Sequence, residues 1–141
     1  MKAYLLDVNV LLALSWPDHH FHDRVQDWFG RHGAKGWATC PMVQAGFVRI
    51  VSNPAFSPKA VSLKDAIAAL RFNTSHPAHQ FWPDDVSVAT GMANLGDRIV
   101  GHQQVTDAYL VELAVHHRGK LATLDRGIAT WGASGAVELI G

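Results

Sequence analysis

Two apolar blocks, each closed by a carboxylate, constrain this chain more than any other feature. Ala3-Tyr4-Leu5-Leu6 runs without polar alternation into Asp7, and Lys120-Leu121-Ala122-Thr123-Leu124 runs into Asp125. A strand with one face in water alternates apolar and polar residues. A strand covered on both faces need not, and such strands belong to parallel sheets flanked by helices. The blocks predict central parallel strands and hence an α/β chain. In open parallel sheets the crevice that binds ligands lies beyond the carboxyl ends of the strands, which is where Asp7 and Asp125 stand.

The intervening chain supplies helices. One runs from Asp7 to about Leu14 and is stopped by Pro17. Asp18 is placed to cap a second through about Arg31, with Phe21, Val25, Trp28 and Phe29 at helical spacing. After a short strand at 37–40, Pro41 opens a third helix whose apolar residues are Met42, Phe47, Ile50 and Val51. Ser62 and Asp65 frame the start of a fourth, to about 73, as a capping box with Asp in place of Glu. An edge strand is expected at 79–83, a helical stretch opened by Asp84 and Asp85 to about Asn94, and a glycine-punctuated segment to His102. A helix over 105–117 turns Ala108, Val111, Ala114 and Val115 inward and stops at Gly119, and a last strand is expected at 136–140. No repeat, linker or low-complexity tract divides the chain, so residues 1–141 read as one domain.

A chain of 141 residues can bury about 68–70% of its unfolded surface, so it needs neither a disulfide nor a structural metal, and Cys40 is its lone cysteine. Asp7 interrupts the only apolar start and no apolar run approaches the roughly 18 residues of a membrane span, so a cytoplasmic protein without a membrane partner is expected. Twelve Lys plus Arg balance twelve Asp plus Glu, which argues against a polybasic nucleic-acid binder. The acidic set is lopsided, with ten Asp and two Glu, and Asp is favoured at caps, turns and ligand positions.

Asp107, in the first turn of the most strongly patterned helix, joins Asp7 and Asp125 as a candidate. Carboxylates gathered at one sheet edge repel and lose hydration unless a cation compensates, and oxygen-only ligands select Mg²⁺ or Mn²⁺ over zinc. Helix capping and turn formation explain the same three residues without a metal. Asn9 and Thr123 are candidates to hold a ligand carboxylate or a metal-bound water in place. Arg49, Arg98 and Arg126 are candidate phosphate contacts. His19, His20 and His22 form a tract that can bind transition metals, but nothing completes a site, so they read as solvent-facing residues. His116, His117 and Arg118 suit the negative end of a helix. His102 precedes the Asp107 segment, where its role stays open. The five tryptophans can stack bases, yet fit a core or an interface as well.

Four segments together carry a resemblance: Leu5 to Leu12, Cys40 to Pro54, Gly101 to Leu110, and Leu121 to Gly127. In this order the chain resembles the PIN-domain ribonucleases of the VapC toxin type, over essentially its whole length. The resemblance implies a three-layer α/β/α sandwich around a mostly parallel sheet. It implies RNA cleavage by a metal-activated water with Mg²⁺, or Mn²⁺ in its place, leaving 5′-phosphate and 3′-hydroxyl ends. It further implies a cognate VapB-type antitoxin and assembly as a homodimer or larger toxin–antitoxin complex. Asp7, Asp107 and Asp125 match the family's first, third and fourth acidic positions and become the expected metal ligands and catalytic residues. The second acidic position, usually Glu, holds Gln44, which keeps an acceptor oxygen without the charge. Glu112, five residues beyond Asp107, is rotated about 140° away on the same helix and does not replace it.

Two other functions remain to be weighed. A degenerate PIN fold with Gln44 would bind RNA or a partner without cutting. A phosphatase of the haloacid dehalogenase type is suggested by Asp7-Val8-Asn9-Val10 after an apolar strand, but its acid/base Asp would fall on Asn9. Apolar residues on the helices at 18–31 and 41–52, including Phe21, Trp28 and Phe29, are expected to be covered by a second copy and by an amphipathic antitoxin helix.

Overall fold

A computed structural model describes residues 3–92, 101–130 and 135–141, except for the side chains of Gln103 and Thr130. The strands are β1 (Tyr4–Leu6), β2 (Trp37–Thr39), β3 (His79–Phe81), β4 (Lys120–Thr123) and β5 (Val137–Leu139), all parallel in the order β3-β2-β1-β4-β5. The helices are α1 (Val8–Ser15), α2 (His22–Arg31), α3 (Pro41–Val51), α4 (Leu63–Thr74), α5 (Val88–Gly91) and α6 (Val105–His116). Successive β1 residues point to opposite faces, and Leu5 and Leu6 are both fully buried, so helices cover the sheet on both sides. α6 packs on β1 and β4; so does α1, against which α2 and α3 pack. This is the expected α/β/α sandwich, and the edge strands β3 and β5 are correspondingly less buried than β1 and β4.

Chain order creates the crevice. From β1 the chain steps outward through β2 to β3, then returns to lay β4 on the other side of β1. The connections diverge between β1 and β4, and the register Leu6↔Ala122 brings Asp7 level with Thr123. No helix among the described residues is long and apolar enough to cross a membrane.

Several local expectations are corrected. Asp18 does not cap α2: its carboxylate pairs with Lys59 Nζ at 2.6 Å, while His19 Nδ1 accepts from Phe21 N and holds the chain in a turn until His22. Ser62 does cap α4, accepting from Asp65 N at 3.1 Å. The helix expected from Asp84 shrinks to α5, capped by Ser87, because Asp85 is drawn to His117 instead of to a helix terminus. Any continuation past Met92 lies outside the described residues. β4 stops at Thr123, two residues before Asp125. Val115 is exposed rather than part of the inner face of α6.

At the end of α6, Arg118 rather than Gly119 takes the left-handed conformation, with φ 59°. Arg118 N donates to Val115 O and Gly119 N to Ala114 O, the paired bonds that close a helix. Gly119 is needed for another reason: a Cβ there would collide with the Ala3 carbonyl and the Trp82 ring. The exposed apolar surface is also relocated. Trp28 is buried and Phe21 and Phe29 are partly so, whereas Leu63, Ile67 and Phe72 of α4 are exposed.

Candidate active site

Asp7 is built in by three elements. As the residue ending β1 and preceding α1, it is extended (φ −73°, ψ 171°), and its Oδ1 accepts from Val10 N at 2.9 Å. Its Oδ2 accepts from the hydroxyl of Thr123, on the neighbouring strand β4, at 2.6 Å. The carboxylate is almost wholly buried. Burial pushes its pKa up to about 6; the Thr123 and Val10 hydrogen bonds oppose this, and the charges of Asp107 and Asp125 add to it.

The other two carboxylates approach from different directions. Asp107 sits in the first turn of α6, half-buried, and its pKa is raised by burial and then by Asp125. Asp125 lies in an exposed turn just past β4. Its N–H donates to Thr123 Oγ1 at 3.1 Å, and its Oδ1 accepts from Gly127 N at 2.7 Å. Thr123 therefore touches both acids, where sequence spacing pointed only to the nearer one. Asp107 and Asp125 thus flank Asp7 at the point where the chain connections diverge, near enough for their charges to oppose its ionisation. An all-oxygen donor set held in a mutually repulsive arrangement suits a hard divalent cation such as Mg²⁺ or Mn²⁺.

The remaining candidates are spread around this cluster. Asn9 is exposed and hydrogen-bonds to none of the three acids. With His19, Phe21, Leu124 and Asp125 it lines an open groove of about 310 Å³. His19 and Phe21 are rim residues that the sequence did not single out as such. Burial, then His20 and His22, hold the His19 imidazole below its usual pKa. Gln44 donates from Nε2 to Thr39 Oγ1 at 2.9 Å, and Thr39 Oγ1 also lies 2.7 Å from His79 Nε2. This places the Gln44 amide at the end of β2, the strand that pairs with β1. Gln44 and Arg49 line a second groove of about 600 Å³ between α3 and α4, which shares no residue with the first. Arg49 and Arg126 are exposed and form no ion pair among the described residues, while Arg98 lies outside them. His102 is exposed in the 3₁₀ turn that leads into α6. Trp28 and Trp37 are core residues, and Trp131 lies outside the described residues. The buried Cys40 thiol is pushed up to about 12 by burial, which removes it as a nucleophile at neutral pH.

The PIN domain model matches residues 4–131, from β1 through the turn past β4. Ribonuclease VapC39 of Mycobacterium tuberculosis is 43% identical over 136 residues, spanning 96% of this chain and 98% of that protein. The chain belongs to the VapC ribonucleases of the PIN-domain family. A second relative, Ribonuclease VapC29 of the same species, is 45% identical over 125 residues, 89% of this chain and 87% of its own. The fold is shared with more distant structures. FitAcB from Neisseria gonorrhoeae superposes with a TM-score of 0.63 at 20% identity, covering 89% of each chain. VapBC2 from Rickettsia felis, bound to a DNA fragment from its promoter, does so at 0.59 and 13%, covering 88% of each. Membership of the VapC family displaces the phosphatase alternative and makes the four ordered segments one ancestry, not four coincidences.

Proposed function

We propose that this VapC-family chain is an endoribonuclease toxin of a toxin–antitoxin pair, with Asp7, Asp107 and Asp125 holding Mg²⁺ or Mn²⁺ for hydrolysis of RNA phosphodiesters. The observation that carries the reading is the buried Asp7 at the β1/β4 divide, its pKa raised to about 6 by burial and then by the charges of Asp107 and Asp125. When bound, a divalent cation there lowers the pKa of water and offsets negative charge at the phosphodiester. The protein's own part is positional. Thr123 and the start of α1 fix both oxygens of Asp7, the turn at Gly127 fixes Asp125, and α6 presents Asp107. Exposed Arg126 and Arg49 are the basic groups for RNA phosphate, with Arg98 a further candidate by position in the sequence. With zero net charge, affinity for RNA relies on shape and on the bound cation more than on bulk attraction.

One fold neighbour is named as VapBC2, a VapC-type chain together with a VapB, which supports a small VapB-type partner here. Leu63 and Ile67 on α4, which line the α3–α4 groove, offer the apolar surface for that partner or for a second copy of the chain. A protein acting on RNA with such a partner belongs in the cytoplasm.

The test is incubation of purified protein with structured RNA and Mg²⁺ or Mn²⁺, with 5′ ends mapped by sequencing. Wild type is expected to cut, and Asp7→Ala and Asp107→Ala are not; equal cleavage by all three refutes the assignment. Gln44, a neutral amide bonded to Thr39, supports one other reading, a PIN fold that binds RNA without cutting. Retained RNA binding with neither cleavage nor growth arrest on expression would select it.

A further inference from the structure

The acidic cleft is not the only place where metal-ligating groups converge. α6 ends at His116 with His117 as its cap, and the reversal at Arg118 turns the chain back toward β4. Against this end lies Asp85, two residues past Pro83 in the segment that follows β3. His117 Nε2 lies 3.0 Å from Asp85 Oδ1, and His116 Nε2 lies 3.5 Å from Asp85 Oδ2. One donor atom from each of the three residues falls within 4.8 Å of the others. The His117 ring is stacked on the buried Trp82 indole, with centroids 4.5 Å apart and planes 13° from parallel, so its direction is set by packing.

We propose that Asp85, His116 and His117 form a second metal site, for a transition-metal ion of the zinc class. Two imidazole nitrogens and one carboxylate oxygen are a donor set that zinc, cobalt and nickel accept and that magnesium does not favour. Bonds of about 2.0 Å in a tetrahedron put ligand atoms about 3.3 Å apart. The two histidine-to-carboxylate separations bracket that value, and the imidazole donors, within 4.8 Å of each other, have up to about 1.5 Å to close. Side-chain exposures of 52%, 20% and 40% for His116, His117 and Asp85 leave room for water as the remaining ligand.

The site is separate from the acidic cleft. Nine residues of helix from Asp107 to His116 amount to about 14 Å along the axis of α6. The two places also sort cations by chemistry, oxygen donors at one end of the helix and nitrogen-rich donors at the other. The N-terminal tract offers no comparable site: His19 Nδ1 faces Phe21 N and His22 Nδ1 faces Ala13 O. An ion held by Asp85, His116 and His117 ties the segment after β3 to the end of α6, so it acts on the stability of the fold.

Tag-free protein stripped with a chelator tests this. Cobalt titration is expected to give visible d–d bands at one equivalent per chain, bleached by Zn²⁺ and unaffected by excess Mg²⁺. Thermal denaturation should shift upward with added Zn²⁺. Asp85→Asn and the exposed His116→Ala should each weaken cobalt binding by at least the roughly 10- to 100-fold that loss of a mere outer partner costs. Asp7→Asn and His20→Ala should leave it unchanged. Absence of cobalt bands in the wild type overturns the proposal. So do bands that survive both Asp85→Asn and His116→Ala, or that disappear with Asp7→Asn or His20→Ala.

Discussion

Replacing Asp7 with asparagine should make the protein more stable and inactive at once. The Asp7 carboxyl rises from 3.8 to about 6 on folding, because burial and the two other acids penalise its charged form. Between about pH 4 and pH 6 the folded state therefore holds more protons than the unfolded one, and stability falls as pH rises through that window. At pH 7.5 without metal the full difference, about 2 units at 1.36 kcal/mol each, is a cost of about 3 kcal/mol. Asparagine removes that cost. Its Oδ1 still accepts from Val10 N, and its Nδ2 meets Thr123 Oγ1 with donor and acceptor exchanged, a poorer bond worth about 1 kcal/mol less. The net expectation is a gain of about 2 kcal/mol for Asp7→Asn at pH 7.5 in EDTA, shrinking toward zero or below at pH 4. Urea denaturation of both proteins at the two pH values measures it. Added Mn²⁺ should stabilise the wild type more than the variant. An Asp7→Asn protein equal to or less stable than wild type at pH 7.5 would refute the claim that this carboxylate is held at an energetic cost.

Three further substitutions probe neighbouring elements. Thr123→Val keeps the shape but removes the donor to Asp7, so it should cost roughly 1.5–3 kcal/mol at pH 7.5. It should also move the titration of Asp7 above about 6, read from the pH dependence of the urea midpoint. Gln44→Glu places a carboxylate beside Thr39 at the end of β2, the strand next to β1; calorimetry should show tighter Mn²⁺ binding to the RNA-free protein, and an unchanged affinity would detach position 44 from the acidic cleft. Arg118→Gly relieves the left-handed φ of 59° and should stabilise by about 1 kcal/mol in the same urea assay.

The centre of the sheet was legible because β1 and β4 are apolar on both faces, a pattern that only a covered parallel strand requires. The positions of Asp7 and Asp125 followed from the ends of those blocks, and Asp107 from the start of a strongly patterned helix. What escaped were bonds whose partner lies far along the chain. Asp18 looked like a cap and is taken by Lys59, 41 residues on; Asp85 looked like a helix start and is taken by His117, 32 residues on. Local spacing likewise tied Thr123 to Asp125 alone, since only strand pairing brings Asp7 beside it. The Gln44, Thr39 and His79 chain crosses from α3 through β2 to β3 and left no trace in periodicity.

The hydroxyl bond between Thr123 and Asp7 spans 116 positions. During synthesis β1, β2 and β3 emerge in order, while β1 waits with one edge open for a partner near the other end of the chain. Pairings between such distant segments are slow to form. A ribosome-bound chain that stops short of residue 120 carries Asp7 and Asp107 but lacks Asp125 and the hydroxyl that anchors the first acid. Vectorial synthesis thus completes the acidic cleft late, and a prematurely terminated chain is left with an unfinished sheet and an incomplete set of acids.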